Sequence, residues 1–196
     1  MTQQALYCGM ELLSLNINFI KKGVVYMAEN TKTPIRGKDK ILYFRLLKDA
    51  AENKAARLAL QVEHEWSYER DNEVVQTKDG GIVQEGALEV SLELTAISTK
   101  DKLNTMLRQA VTDGLKLEVW EVDISDNRGE NKRGALYAQG NLNEWSVPAN
   151  VEELEEITTS MSIDGQPLEG EVDLSTEDLE LIKAVYEFRD LQAVGA

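Results

Sequence analysis

Two stretches of the chain alternate apolar and polar residues with a period of two, and that pattern limits the fold more than any other feature. In LALQVEHEWSYER, residues 58–70, Leu58, Leu60, Val62, His64, Trp66 and Tyr68 interleave with Ala59, Gln61, Glu63, Glu65, Ser67 and Glu69. In ALEVSLELTA, residues 87–96, Leu88, Val90, Leu92 and Leu94 interleave with Glu89, Ser91, Glu93 and Thr95. Successive side chains of a strand point to opposite faces, so each stretch reads as a half-buried strand with one apolar and one acidic face. The two are natural partners in an antiparallel sheet.

Between them, DNEVVQTKDGGIVQEG (71–86) places a Lys78-Asp79-Gly80-Gly81 turn between Val74-Val75 and Ile82-Val83. This is the grammar of a hairpin tip extended beyond the sheet. It is long for a simple connection, and loops of that length are either functional or floppy.

The remaining segments add strands and one clear helix. KILYFRLL (40–47) reads as a strand, followed by the polar loop KDAAENKAA with room for a helical turn. In STKDKLNTMLRQAVTDG (98–114), Leu103, Met106, Leu107, Ala110 and Val111 recur at helical spacing, Gly114 supplies a stop, and Ser98 with Asp101 resembles a capping box. Its stripe reads as core or subunit contact. Strands resume over 115–124, 134–147 and 157–163, the last with Ile157, Thr159, Met161 and Ile163 on one face and an Asp164-Gly165 turn at its end. Pro148 and the acidic VEELEE interrupt before it, and 175–191 begins with a capping box at Ser175 and Asp178. The sum is a mainly β protein, an antiparallel sandwich or barrel-like fold with one flanking helix at about 99–113 and a short C-terminal helix.

At 196 residues the chain fits a single domain. Lys21-Lys22-Gly23-Val24 can be encoded by a purine-rich tract of the kind a bacterial ribosome pairs with, at a suitable distance from Met27. Residues 1–26 therefore read as a translated leader or a disordered arm, 27–196 as the domain, and 27–39 as a polar arm ordered on assembly. The apolar run from Leu12 to Ile20 precedes its lysines and is broken by Ser14, Asn16 and Asn18, which fits neither a secretory signal nor a membrane span.

The formal charge is −14, and −15 from Met27 onward once Glu11, Lys21 and Lys22 are set aside. Such a surface repels nucleic acid on average. Cys8 is the only cysteine and His64 the only histidine, so internal disulfides, cysteine metal sites and paired imidazoles are excluded. Glu63 with Glu65, or Glu153 with Glu155, could be nominated as a hydrolytic carboxylate pair, but their regular spacing fits a solvated face better. His64 lies among Val62 and Trp66 and reads as a packed core histidine. DISDNRGEN (123–131) is oxygen-rich yet fails the calcium-loop spacing. No phosphate-binding loop or dinucleotide fingerprint occurs, and no cofactor is expected.

Taken in order, the arm, the strand pair with its TKDGG loop, the helix KDKLNTMLRQAVTDG and the run YAQGNLNEWSVPANVEELEEITTSMSIDGQP resemble the major tail tube proteins of long, non-contractile-tailed bacteriophages, especially those infecting Gram-positive bacteria. The resemblance runs from Met27 to the C-terminus. It implies a β-sandwich with one helix, no enzyme activity, and stacked hexameric rings in the virion tail. The protein would be made in the bacterial cytoplasm, with itself, a tape measure protein and tail completion or initiator proteins as partners and no membrane. Gln76, Thr77, Lys78, Asp79, Gly80 and Gly81 would match the loop that reaches an adjacent ring. The arm around Asn30, Pro34 and Gly37 would help lock subunits together. Many relatives append an immunoglobulin-like domain, for which this sequence leaves no room after Phe188.

If the polar faces of the two alternating strands line the channel, Gln61, Glu63, Glu65, Glu69, Glu89 and Glu93 give it a negative wall past which DNA moves without sticking. Open sheet edges would pair between subunits on ring closure. Two other readings stay open: a monomeric β-sandwich binding carbohydrate or protein through an exposed Trp66, Trp120 or Trp145, and a hydrolase using Glu63 or Glu65.

Overall fold

A computed structural model describes residues 34–183. Ten strands and two helices form one antiparallel sheet, a separate hairpin and two covering helices: β1 (Lys40–Leu46), β2 (Ala56–Arg57), β3 (Gln61–Arg70), β4 (Glu73–Thr77), β5 (Gly80–Gln84), β6 (Leu88–Ile97), α1 (Lys102–Asp113), β7 (Leu117–Asn127), β8 (Lys132–Leu142), β9 (Glu156–Ile163), β10 (Leu168–Asp173) and α2 (Thr176–Lys183). The main sheet runs β2-β1-β7-β8-β9-β6-β3, with β10 paired to the first half of β8. Helix α2 starts where Ser175 accepts a hydrogen bond from the Asp178 amide at 3.1 Å, as its capping box anticipates.

The two ends of this sheet are joined by three residues of chain, which makes the fold barrel-like. The Leu58 amide donates to the Leu42 carbonyl on β1, and the Leu60 carbonyl accepts from the Ile97 amide on β6. Gln61 completes the seam by imitating a backbone amide: its Oε1 accepts from Leu42 N at 3.1 Å, and its Nε2 donates to the carbonyls of Leu42 and Leu58. The two layers anticipated from sequence are thus opposite walls of one curled sheet.

Alternation decides what fills it. Leu42, Phe44, Leu46, Leu92, Leu94, Leu117, Val119 and Met161 point inward, and the buried stripe of α1, Leu103, Leu107 and Ala110, covers them. The helix is capped by Asp101, whose side chain accepts from Asn104 N at 2.7 Å, and not through Ser98 as the sequence suggests. Gly114 ends it in the left-handed conformation at φ 63°. A second apolar cluster, Ile41, Tyr43, Val122, Leu174 and Leu179, lies on the outer side of β1 and β7, where β10 and α2 cover it.

Three sequence expectations change. β8 ends at Leu142 and does not run on to Val147. β10 is a strand that its composition, LEGEVD, gives no reason to expect. The apolar face of 58–70 is not uniformly buried: Leu60, Val62 and Tyr68 are 59, 56 and 50% exposed. The strand begins only at Gln61, with a bulge before Glu63, and Leu60 at φ 50° breaks the alternation ahead of it.

Candidate functional site

The polar face of the β3-β6-β9 wall is built row by row from the strand register. Glu63 lies opposite Thr95 and then Thr158; Glu65 opposite Glu93 and then Ser160. Ser67 lies opposite Ser91, Ser162 and Asn141, and Glu69 opposite Glu89. Glu63, Glu65, Glu69, Glu89 and Glu93 are all exposed, and none of these positions carries a lysine or arginine. Two rows set like charges directly against each other, Glu65 with Glu93 and Glu69 with Glu89, an arrangement that costs a sheet roughly 0.2–1 kcal/mol per pair.

Gln61 does not belong to this face. The bulge between Gln61 and Glu63 takes it out of phase, and its amide is spent on the seam with β1. In its place the register brings in the hydroxyls of β6 and β9. The alternation of 157–163, with Ile157, Thr159 and Met161 buried, was the signal for Thr158, Ser160 and Ser162 on the opposite side.

The hairpin anticipated around the KDGG turn is formed by β4 and β5, with Lys78 and Asp79 as a two-residue turn between Thr77 and Gly80. It pairs with no other strand, and every residue from Glu73 to Gln84 is exposed. Val74 pairs with Val83 on one face and Val75 with Ile82 on the other, each 45–61% exposed. Its base is fixed by close backbone approach: a Cβ at Gly86 would sit 2.0 Å from the Asp71 carbonyl oxygen, while Gly86 N donates to Asn72 Oδ1 and Arg70 Nη1 donates to the Gly86 carbonyl. Of the expected arm residues, Pro34 and Gly37 are exposed, and Asn30 lies outside the described residues.

Inside the barrel, at the end away from α1, the structure assembles a polar cluster that the sequence did not reveal. Glu121 on β7 is 5% exposed and accepts from Lys40 Nζ, His64 Nε2 at 2.9 Å and Trp66 Nε1 at 2.6 Å. Burial alone would raise its carboxyl; the hydrogen bonds from His64 and Lys40, with the Lys40 charge, outweigh that and bring it down to about 2. His64 is therefore inside, as expected, but bound to a carboxylate. A signal existed in LKLEVWEVDI: Glu118 and Glu121 fall on opposite faces of one strand, so both could be solvated only if neither face were covered. Both are buried, and Glu118 is held by Arg45 Nε and Tyr137 Oη, each at 2.7 Å.

The tryptophans are committed to the fold. Trp66 and Trp145 pack on the inner core, and Trp120 lies under the Arg45 guanidinium, 5.0 Å from its ring centre. None offers the open flat face that a carbohydrate-binding module requires. Among the described residues no helix is long and apolar enough to cross a membrane, and no group of three His, Cys, Asp or Glu is placed to hold a metal ion.

A curled antiparallel barrel with two covering helices, a projecting hairpin and an acidic outer wall has counterparts among known proteins. The phage tail tube protein family matches residues 34–169, and the chain belongs to that family. It is 29% identical over 161 residues to the tail tube protein gp17.1* of Bacillus phage SPP1, covering 81% of this chain and 60% of that protein. The SPP1 tail tube structure superposes with a TM-score of 0.65 at 21% identity, over 83% of this chain and 95% of that one. The tail of an empty gene transfer agent particle, refined with C6 symmetry, superposes with a TM-score of 0.56 at 12% identity, over 69% and 98%. These last two likenesses are of fold.

Proposed function

We propose that the chain is the repeating subunit of a phage tail tube, assembled as hexameric rings that stack around a genome-conducting channel. The observation that carries this reading is the β4–β5 hairpin, which holds aliphatic pairs on both faces clear of the barrel in a member of a tail tube family. A two-stranded ribbon alone is marginal in water at best. Its apolar pairs gain burial only against another molecule, and a copy in the next ring supplies one. Strands of five residues at about 3.4 Å each let it reach roughly 17 Å beyond its base.

In this reading Glu63, Glu65, Glu69, Glu89 and Glu93 line the channel, with the hydroxyl rows of β6 and β9 between them. A phosphate chain passing such a wall meets no cation, so no counterions are released to favour binding, and DNA slides. The free edges of β3 and β10 pair between neighbours in a head-to-tail ring. The segment around Asn30, Pro34 and Gly37 locks subunits, Gln76 to Gly81 form the inter-ring contact, and tape measure and completion or initiator proteins bind the ends. No catalysis and no cofactor enters the reading.

Deleting Thr77 to Ile82 tests it. The expected result is a folded protein with an unchanged β-type circular dichroism spectrum that forms no tubes by negative-stain electron microscopy. Normal tubes from that variant would remove the hairpin from the account.

A further inference from the structure

The hairpin needs a receptor, and the barrel carries one at the far end of the same ribbon. We propose that the cleft between β1, β2 and the first half of β3 receives the β4–β5 tip of a second copy of this chain. The proposal rests on the tail tube reading and names the surface its axial contact uses.

The cleft has a volume of about 780 Å³. That is within the roughly 300–1,000 Å³ of pockets that enclose small ligands, and is room for a four-residue turn. Lys38, Arg57, Leu60 and Val62 are among its lining residues, and the last two form its lip. Both lip residues are more than half exposed. Leu60 holds φ 50°, a conformation unfavourable for a branched side chain. The chain is forced into it because Leu58 bonds β1 and Leu60 bonds β6 within three residues. The strain leaves an aliphatic side chain at the cleft mouth.

The tip matches this surface in three respects. Its aliphatic pairs fit the lip, and its turn carries Asp79, an acid matched to the basic Lys38 and Arg57 of the cleft. Among the described residues neither Lys38 nor Arg57 forms an ion pair. Third, the polarity is right. Cleft residues occupy the start of β3 and the hairpin follows its end, ten residues and roughly 33 Å away. A hairpin so placed cannot enter its own cleft, and a contact between unlike ends of identical copies propagates along an axis.

The test compares wild type, the Thr77–Ile82 deletion and the cleft variant Leu60→Glu/Val62→Glu, all full chain, by negative-stain microscopy over a concentration series. The lip residues are exposed, so the cleft variant is expected to fold with an unchanged melting temperature but need about tenfold more protein or more for tubes. A second arm, in a Cys8→Ser background, pairs Lys38→Cys with Asp79→Cys and expects an oxidised ladder longer than six copies. Tubes from the cleft variant at the wild-type concentration, or no ladder, would overturn the receptor while leaving the tube reading intact. Wild type that forms no tubes at any concentration would overturn both.

Discussion

Glutamates on two walls of the same barrel are treated in opposite ways. Glu121 is buried, accepts three hydrogen bonds and is held ionised down to about pH 2. The glutamates of β3 and β6 are exposed, and two pairs of them face each other across the ladder without an intervening cation. The first arrangement obeys the rule that a buried charge must be matched. The second works against the subunit's own stability, mildly, and nothing within the subunit repays it. A cost of that kind points outward, to what passes along or assembles against that wall.

The largest effect is expected from breaking the inner set. Glu121→Ala leaves Lys40 partnerless at the cleft and should cost about 3 kcal/mol or more, read as a shift of the urea midpoint. If instead the loss is within the range of a surface substitution, Glu121 is not the fastener between β7, β1 and β3.

Acid should act on the same group. The folded protein keeps Glu121 ionised where the unfolded chain, near its ordinary value of 4.5, would be protonated. The unfolded state therefore takes up more protons, and stability present above pH 4.5 is lost as pH falls toward 2. At face value this is about 3 kcal/mol, and nearer half that after screening at the cleft mouth. Glu121→Gln should flatten the stability profile over that window. An unchanged profile would assign the acid sensitivity to other carboxylates.

The smallest effect has the opposite sign. Glu65→Gln and Glu93→Gln each remove one like-charge contact and should raise stability by a few tenths to about 1 kcal/mol, more at low salt than high. Destabilisation by either would mean that the acidic wall has a structural role within the subunit.

The same contrast explains what the sequence made legible. Residues 88–97 were readable because the pattern and the burial coincide: Val90, Leu92, Leu94 and Ala96 are buried while Glu89 and Glu93 are exposed. The hairpin was readable from its turn residues and flanking valines, and α1 from its spacing and Gly114. Residues 58–70 misled, because alternation reports which side chains share a face but not whether that face is covered. Val62 and Tyr68 overhang the barrel's edge, and a bulge puts Gln61 out of phase. β10 was silent because an exposed edge strand needs no apolar alternation. Glu121 was missed because its three donors come from two other strands, a meeting that only the curl of the sheet produces.

A cryo-electron microscopy reconstruction of tubes grown from the wild-type chain tests the central claim most directly. Six subunits per ring with Glu63, Glu65, Glu69, Glu89 and Glu93 facing the channel is the predicted result. Tubes with those side chains on the outer surface or between subunits, or a protein that stays monomeric at every concentration, would contradict the account.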